Sequence, residues 1–199
     1  MNALDITLNH VSKTYGKKIV FDNFGCKFSA GKAYCLFGPS GSGKTTLLRM
    51  LAGSESCDSG EITGMEGKKI SAVFQEDRLF ENLGAEKNVM LTSKAGFSRA
   101  DAQELLNRLG ITDTKKAVSE FSGGMKRRCA VARALAAEYD ILLLDEPLAG
   151  LDETARQTVM QVIFEENKGR TLICATHFRE FAAFFSAETI DIPLIQSAG

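Results

Sequence analysis

The segment that most restricts the possible folds of this chain is Gly38-Pro39-Ser40-Gly41-Ser42-Gly43-Lys44-Thr45, which has the form GxxxxGK[ST]. Its glycines let successive backbone N–H groups turn toward one point, and a helix that follows adds the positive end of its dipole. Such a loop suits phosphate oxygens. Lys44 brings a point charge for β- and γ-phosphates, and the Thr45 hydroxyl a ligand for Mg2+. This chemistry needs a strand ahead of the loop and a helix behind it. Ala33 to Phe37 is a compact apolar run and Thr45 to Leu51 has helical spacing, so the context is the required one.

The rest of the chain extends that unit. Residues 6–28 are rich in β-branched and aromatic side chains, with turn signals at Tyr15-Gly16 and Asp22-Asn23, and read as short antiparallel strands. Further strands are expected at Glu61 to Thr63 and Ile70 to Phe74. From about Gly84 to Ala137 the pattern is helical: Leu105, Leu106, Leu109 and Ile111 share one face, and Ala130, Val131, Ala134 and Leu135 another. Ile141 to Leu144 is wholly apolar, as in a strand covered on both faces. A helix over Thr154 to Glu166 and a strand over Thr171 to Ala175 complete an α/β alternation with a parallel sheet and a helical insertion.

Two more segments carry chemistry. Asp145 and Glu146 follow the Ile141 to Leu144 run directly, and in an open parallel sheet ligands gather at the carboxyl ends of strands. Asp145 is thus placed to hold Mg2+ through water, and Glu146 to orient or deprotonate an attacking water. Ser122-Gly123-Gly124 precedes a helical run, which makes either a plain N-cap or a second phosphate cradle.

In order and content these motifs resemble the nucleotide-binding subunit of an ATP-binding cassette (ABC) transporter, over nearly the whole chain. Residues 38–45 match Walker A, Ile141 to Glu146 match Walker B, and Ser122-Gly123-Gly124 the core of the LSGGQ signature. The resemblance implies a P-loop NTPase (RecA-like) α/β core with an N-terminal antiparallel β subdomain and an inserted α-helical subdomain. It makes residues 1–199 one domain, with the core at about 1–84 and 139–199 and the helical part at about 85–138. It implies that ATP is held by Gly38, Pro39, Ser40, Gly41, Ser42, Gly43, Lys44, Thr45 and Thr46, with Tyr15 stacked on the adenine. Ser122 and Gly124 of one copy would complete the site for ATP held by a second, and the resemblance also counts Gly123 and Asp152, at the end of the D-loop, among the nucleotide-binding residues. Gln75 would stand near Mg2+ beside Thr45 and Asp145, and His177 would sense the γ-phosphate, with Glu146 and Lys44 in the chemistry. The chain departs from the family pattern at Phe121 (usually leucine), Met125 (glutamine), Ala149 (often serine) and Phe178 (often aspartate). None of these removes Lys44, Asp145, Glu146 or His177.

The expected function is therefore hydrolysis of ATP with Mg2+ to energise a transporter whose membrane-spanning permease lies on other chains. Pairing would be with a second copy or a second ABC ATPase. The stretch Phe74 to Leu79, together with Ser122 to Lys126, is similar to bacterial importers of nitrate, taurine and sulfonate type. That favours import of a small solute with an extracytoplasmic solute-binding protein. The alternatives are an exporter or lipid-trafficking ATPase, or a soluble non-transport ABC ATPase. The formal net charge of −1 supplies no global field for nucleic acid. Neither a secretory leader nor an apolar run of about 20 residues is legible, so the expected place is cytoplasmic and peripheral, on the inner membrane face. Five scattered cysteines without metal-ligand spacing read as small buried thiols in a reducing compartment.

Overall fold

The computed structural model describes residues 5–195. The outermost residues of the expected 1–199 domain, 1–4 and 196–199, lie outside the described residues. Two sheets share one chain. β1 (Ile6–Tyr15), β2 (Lys18–Phe28) and β4 (Ser59–Thr63) form an antiparallel sheet in the order β2-β1-β4. β3 (Ala33–Phe37), β5 (Ile70–Val73), β6 (Ile141–Asp145), β7 (Thr171–Ala175) and β8 (Glu188–Asp191) form a parallel sheet in the order β5-β6-β7-β3-β8.

The parallel sheet is covered on both faces, and its side chains divide by the two-residue period of a strand. Leu142, Leu144, Leu172 and Cys174 pack among the helices that follow β5. Ile141, Leu143, Ile173 and Ala175 face the opposite way, toward the antiparallel sheet and α1 (Lys44–Leu51). The helical segment between β5 and β6 comprises α2 (Ala85–Met90), α3 (Arg99–Arg108), one 3-10 turn (Val118–Glu120) and α4 (Gly123–Ala136). Leu105, Leu106, Leu109 and Ile111 are buried there against Ala130, Val131, Ala134 and Leu135, as their spacing predicts. α3 begins with a capping box between Ser98 and Asp101, which satisfies two donors at the helix start.

One expectation fails. Asp22-Asn23 does not end a strand, because β2 runs through it. The irregularity is absorbed as a bulge: Leu8 pairs with Cys26 but Val11 with Phe24, and both His10 and Asn23 take positive φ (51° and 52°). Extra residues in an antiparallel ladder bend it without closing a hairpin. The sequence reading also stops short of α6 (Arg179–Phe184) and β8, whose single half-buried position offers no apolar pattern. Cys35, Cys129 and Cys174 are buried while Cys26 and Cys57 are partly so, and all five are free.

Candidate functional site

The carboxyl ends of β3, β5, β6 and β7 converge on one cavity of about 420 Å3, beside the turn between β1 and β2. The loop between β3 and α1 forms its floor. Gly38 holds φ 149°, and a Cβ there would stand 2.3 Å from the carbonyl oxygen of Ile192. Gly43, at φ 106°, would drive one to 2.5 Å from Val20. Only glycine fits either position. Ser40, Gly41, Lys44, Thr45 and Thr46 also line the cavity. The Lys44 ammonium donates to the carbonyls of Gly38 (2.7 Å) and Pro39 (3.0 Å). Pro39 and Ser42 belong to the loop but do not line the cavity, and the Ser42 hydroxyl is buried without a partner.

Asp145 ends β6 at 1% exposure and accepts a 2.7 Å hydrogen bond from Thr45, a hundred residues away in sequence. Burial is the main cause that holds its carboxyl above the usual carboxylate range. The neighbouring Glu146 charge adds to this, while the Thr45 hydrogen bond and the charges of Arg127 and Lys44 oppose it. Glu146 takes φ 51°, a left-handed conformation that costs a non-glycine residue of order 1 kcal/mol. Its amide donates to Ala175 O, and its Oε2 lies 2.9 Å from His177 Nδ1. Such strain, held in place by neighbouring strands, is a common mark of functional positions. Thr45 and Asp145 present an all-oxygen pair, the donor chemistry of Mg2+, and a divalent cation would offset the buried charge. Among the described residues no group of three or more His, Cys, Asp and Glu could hold a metal unaided.

Tyr15 stands at the mouth, 45% exposed. Its hydroxyl donates to Glu55, and the Lys13 ammonium lies 5.4 Å from its ring centre. Lys13 is itself fastened to Ser56 O and Asp58, so the ring has a preset position. Gln75 lines the cavity from the segment after β5.

Ser122, Gly123, Gly124 and Asp152 are not in this cavity. They line a second one, of about 600 Å3, together with Arg127, Ala149 and Gly150. Ser122 caps α4 by accepting from Met125 N, and Asp152 caps α5 (Glu153–Asn167) by accepting from Ala155 N. Met125, in place of glutamine, packs its apolar side chain against the core.

Sequence reasoning missed several positions. Lys18 and Val20, at alternate sites on β2, line the first cavity, and Glu55 orients Tyr15. Arg127, 7% exposed, donates to Phe74 O (2.6 Å) and Gln75 O (2.8 Å). Arg133 donates to Arg78 O and Asp77 O. One helix thus carries the Ser122 turn at its start and grips the Gln75 segment along its side. The only sequence signal was arginine at positions whose helical spacing points them inward.

The fold and cavity define a P-loop nucleotide-binding α/β domain. A family profile described as ABC transporter matches residues 21–149. A lantibiotic transport ATP-binding protein of Streptococcus pyogenes is 33% identical over 183 residues, which cover 86% of this chain and 80% of that one. An aliphatic sulfonates import ATP-binding protein of Pseudomonas syringae pv. tomato is 40% identical over 161 residues, covering 80% and 59% respectively. A bacterial ABC transporter cassette solved as a dimer superposes with TM-score 0.83 at 29% identity, over 94% of each chain. The post-hydrolysis dimer of a cassette bound to ADP and Pi gives 0.82 at 27% identity, covering 96% of this chain and 97% of that one. The chain belongs to the ABC transporter family, as one of its ATPase cassettes. No helix among the described residues is long and apolar enough to cross a membrane.

Proposed function

We propose that the chain binds and hydrolyses Mg-ATP between two copies, each nucleotide held by the loop of one and the Ser122 turn of the other. The observation that supports this most is the separation of the motifs. Lys44, Thr45, Asp145, Glu146 and His177 line one cavity, while Ser122 to Gly124 and Asp152 line another. A cradle set apart from the phosphate loop of its own chain can be completed by a second molecule, as in an isologous pair.

Within that pair, the loop from Gly38 to Thr46 holds the phosphates and Tyr15 stacks on the base. Thr45, Asp145 and Gln75 would hold Mg2+, which would supply positive charge to shield the phosphates. Glu146 takes a proton from the attacking water, and His177, hydrogen-bonded to it, keeps that carboxylate oriented and reads the γ-phosphate. ATP favours the closed pair because only there are both cradles engaged, and loss of phosphate removes that preference. The helical part, about 85–138, moves with its signature as a lobe on the core.

The work of closure goes to permease subunits on other chains, at the cytoplasmic face of the membrane. Import of a small solute, with a solute-binding protein outside, is the favoured direction. The support is 40% identity to a sulfonate importer's ATP-binding protein. A lantibiotic transport protein at 33% identity supports export as the second reading. The direct test is light scattering of Glu146→Gln with and without Mg-ATP, beside phosphate release by the parent. A dimer trapped by ATP in the variant, with turnover only in the parent, is expected. A variant that releases phosphate at the parental rate would overturn the role of Glu146.

A further inference from the structure

Of the residues that line the nucleotide cavity and belong to no motif, Lys18 is the charged one. It opens β2 and pairs in register with Tyr15 across the Gly16-Lys17 turn. Cross-strand partners share a sheet face, and so does Val20 two residues on. All three side chains line the cavity. The Lys18 ammonium lies against the phosphate loop itself, 3.2 Å from where a Cβ on Gly41 would stand.

Three other lysines of this region are tied up, and Lys17, in the turn, does not line the cavity. Lys13 is paired with Glu55 and Asp58, Lys27 with Asp5, and Lys32 with Glu188. Lys18 has no such partner among the described residues. An exposed ammonium with no carboxylate beside it, close to a phosphate loop, is placed for an anionic ligand. Lys44 reaches the loop differently, through the carbonyls of Gly38 and Pro39, so the two cations do not duplicate one another.

Resting on the nucleotide reading above, we propose that Lys18 is a second phosphate-binding cation, contacting the polyphosphate of a nucleoside di- or triphosphate on the side nearer the base. It follows that the hairpin which supplies Tyr15 for the base also supplies a charge for the phosphates. The nucleotide is then gripped from above by β1 and β2 as well as from below by the loop.

The test is calorimetric titration of the full chain with ATP and with ADP at low and at physiological salt. Parent, Lys18→Ala, Lys18→Arg and Lys44→Ala are compared, with thermal unfolding of each nucleotide-free protein. Lys18→Ala is expected to weaken both nucleotides about tenfold, the order contributed by one charge-assisted hydrogen bond. The gap should narrow as salt rises, arginine should restore most of the affinity, and the nucleotide-free unfolding midpoint should not move. Equal affinity of Lys18→Ala and parent, with Lys44→Ala defective, would overturn this inference alone. So would a loss that arginine does not restore, or one that comes with a lower nucleotide-free midpoint. A parent chain that binds neither nucleotide would sink the functional reading along with it.

Discussion

Arg127 offers a sharp test of how the signature helix is joined to the Gln75 segment. Its guanidinium makes two charge-assisted hydrogen bonds, to Phe74 O and Gln75 O. It also stands 3.1 Å from Asp77 Oδ1, although that oxygen meets no hydrogen-bond geometry, so the contact with Asp77 is electrostatic only. Arg127→Met keeps the apolar stem and removes the donors. Each lost bond to a charged donor costs roughly 1.5–3 kcal/mol, less what water restores at the exposed Gln75. The net loss is about 3 kcal/mol, at the low end for a buried charge network. For a chain of this size that lowers the thermal midpoint by roughly 6–12 °C.

Asp77→Asn should behave differently. Burial is the leading cause that holds the Asp77 carboxyl above its ordinary value, and Arg127, Arg133 and Lys126 only partly oppose it. A raised folded value means that this group's contribution is fully present below the unfolded value near 3.8. It is lost as pH rises through the folded value. At pH 7 the ionised Asp77 therefore adds nothing that asparagine would forfeit, and the cost should stay under about 1 kcal/mol. Thermal and urea unfolding of the nucleotide-free variants at pH 7 measures both. A fall below about 2 °C for Arg127→Met, or equal falls for the two variants, would refute the view that carbonyl bonds rather than the ion pair hold the segment.

Two further outcomes follow from the cavity and its companion. Asp145→Asn keeps an acceptor for Thr45 while removing a buried charge, so the nucleotide-free fold should gain on the order of 1 kcal/mol at pH 7. That gain should vanish toward pH 3, where aspartate is protonated in both states, and Mg-dependent phosphate release should be lost. A destabilised variant in pH-resolved unfolding would contradict the buried-charge argument. Ser122→Arg should leave single-chain ATP affinity in place and abolish ATP-induced pairing, even on a Glu146→Gln background. A normal dimer in light scattering would remove the Ser122 turn from the interface.

Much of this protein is local and was legible as such. The loop at 38–45 lies between strand and helix because its glycines allow turns that other residues resist and its neighbours are apolar in runs of the right length. The strands at 141–145 and 171–175 are readable because both faces are covered, and the helices because their buried positions recur every three to four residues. The cap at Ser122 acts within three residues. What the chain alone leaves open is which distant ends meet. Thr45 finds Asp145, and Glu146 finds His177, because parallel strands bring their carboxyl ends to one edge. Lys18 and Arg127 carry no motif, since a lone lysine or arginine has many possible partners and only packing selects one. The bulge at Asn23 depends on the register of β1 beside it, and β8 exists as a strand because β3 presents an edge for it to pair with. Local spacing determines each element, whereas the pairing of charges and donors across the sheet is settled by burial, which no single segment contains.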